Sequence, residues 1–288
     1  MRSAALLALL LVTACTGLTA ISTTAPTTTT TASAETTALP APTTSVTGDG
    51  CPEQIDFSES GQVARVDQPS SDTNILGLTS WPETNGCERF RFDFETTEGA
   101  PATTPPSVAV EFLTSGQILR IHLGLETTVL SDQLVETSLV DRLFVVRSLD
   151  GGMYVDLHLA TPVQARAFVS NSPAALTVEL QMGIEPFSGE AAVSERTVLM
   201  EPLADAETGP LLEVIGYSRA FEGTVVVIAT QSAGVVADVN TQAADWAETW
   251  GEFQTTVELP TGQTSLFVGE ESPNDGALEG TTIDITVR

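Results

Sequence analysis

The feature that most limits the fold of this chain is an alternation of apolar and polar residues, repeated in many short segments. Phe90, Phe92 and Phe94 are separated by single charged residues. A period of two residues is that of a β-strand with one buried and one solvated face. The same pattern recurs at Val108–Phe112 and at 119–125. These segments predict an all-β fold.

A β-hairpin is predicted in the middle of the chain. Residues 143–149 and 153–159 flank Asp150-Gly151-Gly152, and its glycines permit the positive φ of a tight turn. Residues 176–182 supply one more strand, and residues 131–140 are compatible with a short helix.

A second run of strands follows a short linker at 186–195. Its apolar segments come at short intervals with turn residues between them: 211–216, 224–229, 234–239, 253–259, 265–269 and 281–287. This spacing favours a sandwich of about seven strands. We therefore predict two β-sandwich domains, at residues 51–185 and 190–288.

The N-terminal 50 residues have a different composition. Residues 16–50 are rich in threonine and almost free of large apolar residues, so they cannot bury enough surface to fold. We interpret residues 15–50 as a disordered linker that acts as a stalk. Before it, Arg2 precedes an apolar run of about nine residues, where a spanning helix needs roughly 20. Residues 1–14 are thus predicted to be a signal peptide.

The end of this run carries a resemblance. Val12-Thr13-Ala14-Cys15 resembles the lipobox of bacterial lipoproteins, in which the cysteine is acylated and becomes the first residue. The resemblance implies a protein held at the cell membrane, on its extracytoplasmic face, through a lipid on Cys15. The alternative is an ordinary cleaved signal in which Cys15 has no such role.

The other two cysteines, Cys51 and Cys87, form an even pair in an exported chain. Thiols in an oxidising compartment normally end as disulfides, so we predict a bridge between them, with two free thiols as the alternative.

The net charge is strongly negative. The formal value is −27, and all eleven basic residues other than histidine are arginines. Such a chain repels nucleic acid, anionic headgroups and anionic wall polymers, so we predict no nucleic-acid partner. Contact with a cell wall would have to use neutral groups or bridging cations.

The first predicted domain resembles a known family. Leu139-Val140-Asp141-Arg142 with the apolar run that follows, the hairpin, and then 171–180 are similar in order to the AMIN and AMIN-like domains of bacterial envelope proteins. The resemblance covers roughly 87–183 and implies a small β-sandwich that binds peptidoglycan. Ala175 departs from the pattern, since a basic residue is frequent there.

The second domain resembles another family. The segment 218–225, then Trp250-Gly251-Glu252-Phe253, then 271–276 are similar in order to the immunoglobulin-like domain of bacterial spore germination. This resemblance implies a non-catalytic surface module. From its place in these motifs, we predict that Phe221 belongs to the core, together with Phe253.

Few residues point to catalysis or to a metal. His122 and His158 fall on the polar faces of their strands, where we expect them to face solvent. A metal site that combined them with Asp156 is the alternative. A zinc amidase would need a fuller ligand set, and no G-x-S-x-G motif occurs. We therefore predict a protein that is not an enzyme, with no catalytic residue, no metal and no cofactor.

One segment partly matches a calcium-binding loop. Asp72, Asn74, Gly77 and Glu83 fall at positions 1, 3, 6 and 12 of an EF-hand. Leu76 stands where a side-chain oxygen is required, so we interpret the segment as an ordinary polar loop.

The candidate contact residues are Trp246 and Trp250. Their spacing of four would place both indoles on one side of a helical turn, where they could stack on sugar rings. The alternative, which the usual burial of tryptophan favours, is that both belong to the core.

Two functional hypotheses result. The first is a lipid-anchored, non-enzymatic envelope protein that binds peptidoglycan or an envelope protein partner. The second is a small-ligand or ion-binding lipoprotein that serves a transporter or sensor. A pocket between the domains with convergent polar groups would favour the second, whereas shallow sheet faces would favour the first.

Overall fold

The computed structural model describes residues 51, 56–80, 83–84 and 87–288, and it gives only the backbone of 78–80 and 83–84. The predicted signal peptide, Cys15 and the stalk lie outside the described residues. The described residues all belong to one compact unit. No helix within them has the length and apolar character needed to cross a membrane.

The regular structure is almost entirely β, which confirms the predicted fold class. The strands before residue 185 are β1 (Gln62–Val66), β2 (Ile75–Ser80), β3 (Glu83–Thr84), β4 (Cys87–Glu95), β5 (Val108–Phe112), β6 (Ile118–Leu123), β7 (Thr127–Thr128), β8 (Asp132–Leu134), β9 (Val140–Arg147), β10 (Met153–Leu159), β11 (Val163–Ser170) and β12 (Ala175–Met182). The later strands are β13 (Ala192–Val193), β14 (Thr197–Glu201), β15 (Glu207–Thr208), β16 (Leu211–Ser218), β17 (Thr224–Gln231), β18 (Gly234–Gln242), β19 (Trp250–Glu258), β20 (Gly262–Glu271) and β21 (Leu278–Val287). Among the described residues, one 3-10 turn occurs, at Phe221–Gly223, and it precedes β17.

The strands of the described residues form three sheets. The largest has ten strands in the order β1-β5-β6-β10-β9-β19-β16-β14-β13, with β8 paired to β9. A six-stranded sheet has the order β11-β12-β4-β2-β7, with β3 paired to β4. A five-stranded sheet has the order β15-β21-β20-β17-β18.

Each smaller sheet packs on one half of the large sheet and encloses a hydrophobic core. The first core holds the alternating residues of β4 and β6, including Phe90, Phe92 and Phe94. The second core holds the inward residues of β16, β17, β19, β20 and β21, including Phe253. The apolar faces that the alternation predicted to be buried therefore lie in these two cores.

The hairpin prediction is confirmed, and the helix prediction is wrong. β9 and β10 pair antiparallel with Met153 opposite Arg147, and Gly151 and Gly152 both have positive φ. Residues 132–134 form strand β8, which pairs with β9. The edge of β9 offers backbone hydrogen bonds there, and this pairing overrides the weak local preference for a helix.

The large sheet is continuous between the two sandwiches. β9 and β19 pair in parallel, with Trp250 opposite Val146 and Gly251 opposite Arg147. A third apolar cluster lies on the sheet face that faces away from both cores, and it consists of Ile118, Phe144, Val146, Tyr154, Val198, Met200, Tyr217 and Trp250. We call it the junction cluster.

The large sheet must fold over on itself at this junction. β6 and β14 are five strand steps apart, which in a flat sheet is about 24 Å at roughly 4.8 Å per step. Arg120 on β6 nevertheless has its Nη2 atom 3.2 Å from the Sδ atom of Met200 on β14. The two halves of the sheet therefore turn the same face toward each other and enclose the junction cluster between them.

Candidate functional site

The most prominent exposed aromatic residues of the second sandwich are Phe221 and Trp246. Their ring centroids are 5.8 Å apart at an interplanar angle of 59°. Phe221 is 45% exposed and Trp246 is 39% exposed. Each ring is therefore partly covered, and each would gain free energy if a ligand covered the rest of its surface.

A short turn holds Phe221 in this position. Ser218 Oγ accepts the N–H of Ala220 at 3.0 Å and donates to the carbonyl of Arg196 at 2.8 Å. Glu222 and Gly223 both have positive φ, 55° and 71°. A Cβ atom at Gly223 would lie 3.3 Å from Cδ1 of Trp246, so glycine allows both the turn and the approach of the indole.

Asp245 holds the loop that carries Trp246. Its Oδ1 atom accepts the backbone N–H of Trp246 and of Ala247, at 2.6 and 3.0 Å. Its Oδ2 atom accepts the N–H and the hydroxyl of Thr249, at 3.0 and 2.8 Å. Partial burial raises the pKa of Asp245, but these hydrogen bonds outweigh the effect and lower it overall. An ionised carboxylate therefore positions the indole.

Phe221 forms one end of a shallow groove on the outer face of the five-stranded sheet. The groove has a volume of about 310 Å³. Val226 and Ile228 of β17 line it together with polar residues of the neighbouring strands, which are Glu222, Asp238, Asn240, Glu270 and Glu271. We call the groove, together with the Phe221–Trp246 pair, the aromatic groove.

Glu270 ties the groove to the turn. It is buried, and its carboxylate pairs with Nε of Arg196 at 2.8 Å and accepts the N–H of Phe221. Asp238 and Asn240 on β18 are exposed. The aromatic groove thus combines an exposed aromatic platform, a small apolar floor and several hydrogen-bond acceptors.

The two tryptophans of the sequence prediction have different environments. Trp250 is only 1% exposed and packs edge-on against Phe144 and Tyr217, with centroid distances of 4.9 and 5.9 Å. It is a core residue of the junction cluster and is not available as a surface contact. The expected helical turn is also absent from this described segment, because Asp245 organises residues 246–249 and β19 begins at Trp250.

The prediction that Phe221 belongs to the core is wrong. Phe221 was expected in the core with Phe253, and Phe253 is indeed fully buried. Phe221 lies instead on a turn, outside the alternation of β17. The signal in the sequence was Gly223, two residues after Phe221, because glycine allows the positive φ that a turn needs.

The two histidines also differ in their burial. His122 is exposed and lies 3.0 Å from a carboxylate oxygen of Glu111. His158, expected to face solvent, is buried and is hydrogen-bonded to the Tyr217 hydroxyl. The face of β10 that its alternation marks as polar is covered by the other half of the folded sheet. Burial, reinforced by the charges of Arg142 and Arg120, lowers the pKa of His158 to about 3.

The structure gives Asp156 a partner other than a metal. Asp156 is completely buried and accepts two hydrogen bonds of 2.8 Å from Arg120. The guanidinium also lies over the ring of Tyr154, 3.7 Å from its centroid. This bidentate pair is a structural element of the junction.

The cysteine pair and the calcium-like loop also have structural roles. Cys51 and Cys87 form a disulfide bond. Among the described residues, one group of possible metal ligands is close enough to share an ion, but it consists of these two bonded sulfurs and Glu179. Asp72 accepts the backbone N–H groups of residues 103 and 104, so its carboxylate fixes a neighbouring loop.

Most of the second sandwich matches a known family model. The family model described as the immunoglobulin-like domain of bacterial spore germination matches residues 187–277. The resemblance noted from the sequence is thereby confirmed for this part of the chain, which contains the aromatic groove except Leu278 at its rim. Searches of curated proteins and of solved structures found no match.

Proposed function

We propose that this protein is a lipid-anchored, non-enzymatic protein of the cell envelope that binds the neutral glycan of peptidoglycan. Its location is inferred from the order of the apolar run, the small residues and Cys15, which resembles a lipobox. The threonine-rich segment 16–50 would then hold the folded part away from the membrane surface.

The observation that carries the binding proposal is the exposed Phe221–Trp246 pair beside polar side chains. Sugar rings have an apolar face that stacks on an aromatic ring, and their hydroxyls donate hydrogen bonds to carboxylates and amides. Asp238, Asn240 and Glu271 supply such acceptors within the same groove. The arrangement therefore matches a neutral sugar better than an apolar or an anionic ligand.

The net charge of the protein also indicates which component of the cell wall it can bind. With a net charge of −27, the protein repels anionic polymers at long range. A neutral glycan is not subject to this repulsion. We therefore assign the contact to the sugar backbone of the wall.

The AMIN-like reading of residues 51–185 belongs to the same proposal. It rests on the sequence similarity at 139–146 and 171–180, and it would give the protein a second wall-binding surface. An envelope protein partner for either sandwich is the alternative within this hypothesis.

The test is a pulldown of the protein with purified peptidoglycan, combined with a thermal melt of each variant. Trp246→Ala should lower the affinity by roughly fivefold, which corresponds to about 1 kcal/mol of stacking, and leave Tm nearly unchanged. Leu211→Ala is the matched control, because Leu211 is an apolar residue of the same sandwich that is 71% exposed. Equal binding by wild type and Trp246→Ala would refute the assignment of this groove.

A further inference from the structure

A second concave site lies where the two halves of the large sheet face each other. It is a cleft of about 520 Å³ beside the junction cluster, and we call it the junction cleft. Its walls come from β6, β14 and β16, and from the connecting segments around residues 114, 190 and 204. At about 30 Å³ per water molecule, this volume holds roughly 17 waters, so a molecule of about ten heavy atoms fits inside.

The walls of the junction cleft are mainly apolar. Leu113, Leu203 and Ile215 line it and are only partly buried, as are Ala191 and Ala206. Apolar side chains that the protein leaves uncovered inside a concave site gain free energy when an apolar ligand displaces water from them. The walls therefore favour a ligand with an apolar body.

Arg120 supplies a hydrogen-bond donor to the cleft. Its Nε and Nη2 atoms bind Asp156, and Nη2 also contacts Met200. The Nη1 atom has no hydrogen-bond partner among the described residues, and the arginine lines the cleft. An acceptor oxygen on a ligand would satisfy this donor.

The charges around the cleft determine which acceptor fits. The positive charge of Arg120 is already balanced by Asp156. Glu201, Glu213 and Glu252 also line the cleft, and they would repel an anion. The same glutamates attract a cation, but an ammonium group has no acceptor for the hydrogen bond of Arg120. An uncharged hydroxyl or carbonyl oxygen is therefore preferred over a carboxylate, a phosphate or an ammonium group.

We propose that the junction cleft binds a small uncharged amphiphile, with its apolar body against Leu113, Leu203 and Ile215 and its oxygen on Nη1 of Arg120. This site is separate from the aromatic groove, and the proposal does not depend on wall binding. It gives the chain a small-ligand site that its two sandwiches build together, as the second of the two functional hypotheses requires.

The experiment compares three probes that share one alkyl chain and differ in the head group: decanol, decanoate and decylamine. Each is titrated by calorimetry, below its aggregation concentration, into the chain starting at Thr16, which retains the whole compact unit. Decanol should bind saturably at one site, and decanoate at least tenfold more weakly. Failure of decanol to bind would overturn the site, and tighter binding of either charged probe would overturn the assigned ligand class.

Variants that fill the junction cleft with a larger side chain test whether decanol binds there. Ala191→Phe and Ala206→Phe each place an aromatic ring in the cleft from a different segment, and each should weaken decanol binding at least tenfold. Val235→Phe is the matched control, because Val235 is exposed on β18 and does not line the cleft. A melt verifies that each variant is folded. Unchanged decanol affinity in both folded filling variants would refute the proposed location.

Discussion

The buried His158 should make the stability of the junction depend on pH. Its pKa is about 3 in the folded protein, because it is fully buried and lies near Arg142 and Arg120. The ordinary value near 6.5 applies in the unfolded chain. Since the folded pKa is the lower one, the unfolded chain binds the proton first, and the folded state loses stability as pH falls below about 6.5.

The size of the effect follows from the two pKa values. Between pH 7.5 and pH 5.0 the unfolded histidine becomes protonated while the folded one stays neutral, which costs about 2 kcal/mol of unfolding free energy. For a compact unit of this size, that loss lowers Tm by roughly 4 to 8 °C.

The assay is a set of urea or thermal unfolding curves between these pH values, for wild type and for His158→Gln. The substitution itself alters stability, so the informative quantity is the change with pH. The carboxylates contribute equally to both proteins, and the wild type should lose about 2 kcal/mol more than the variant. His122→Gln is the matched control, because His122 is exposed on β6, and it should follow the wild-type profile. Identical profiles for wild type and His158→Gln would refute the burial of His158 at this junction.

Four further changes test the anchor, the disulfide and the core. Cys15→Ser should move the protein from the membrane fraction to the medium or leave it as precursor, since it removes the proposed lipid; unchanged fractionation would contradict this. Reduction of the bond between Cys51 and Cys87 should lower stability by roughly 3 to 4 kcal/mol, measured by melts with and without reductant, and an equal Tm would count against it. Phe253→Ala should cost about 3 to 5 kcal/mol in chemical unfolding. Phe221→Ala should cost much less because Phe221 is half exposed, and equal losses would disprove the distinction.

The strands could be predicted from the sequence because their inward faces follow a strict alternation. The pattern of β4 at Phe90, Phe92 and Phe94 marks a buried face without reference to the rest of the molecule. The Asp150-Gly151-Gly152 turn is equally local, since its glycines allow the positive φ that a tight hairpin needs.

The junction could not be predicted in this way because it depends on what covers the second face of a strand. In β10, Tyr154, Asp156 and His158 occupy the face that alternation marks as polar, yet all three are buried. A partial signal was present in Leu143–Val146, where four consecutive apolar residues indicate a strand buried on both faces. The partners Tyr217 and Met200 are distant in sequence, and no local pattern connects them to β10.

The candidate site was only half predictable for a related reason. Trp246 and Trp250 look alike in the sequence, but a backbone turn fixed by Asp245 separates their environments. One remains on the surface and the other enters the junction cluster. Phe221 joined the site because of the positive φ of Glu222 and Gly223, which places its ring outside the strand alternation.

The central claim is that the aromatic groove binds neutral wall sugar, and a calorimetric titration of uncharged N-acetylglucosamine oligomers tests it most directly. The titration is carried out on the chain starting at Thr16, at ionic strengths of about 0.05 and about 0.5 M. The account predicts saturable binding that is nearly the same at both salt concentrations and roughly fivefold weaker in Trp246→Ala. Absence of binding to the glycan, binding that disappears at high salt, or an undiminished affinity in Trp246→Ala would contradict it.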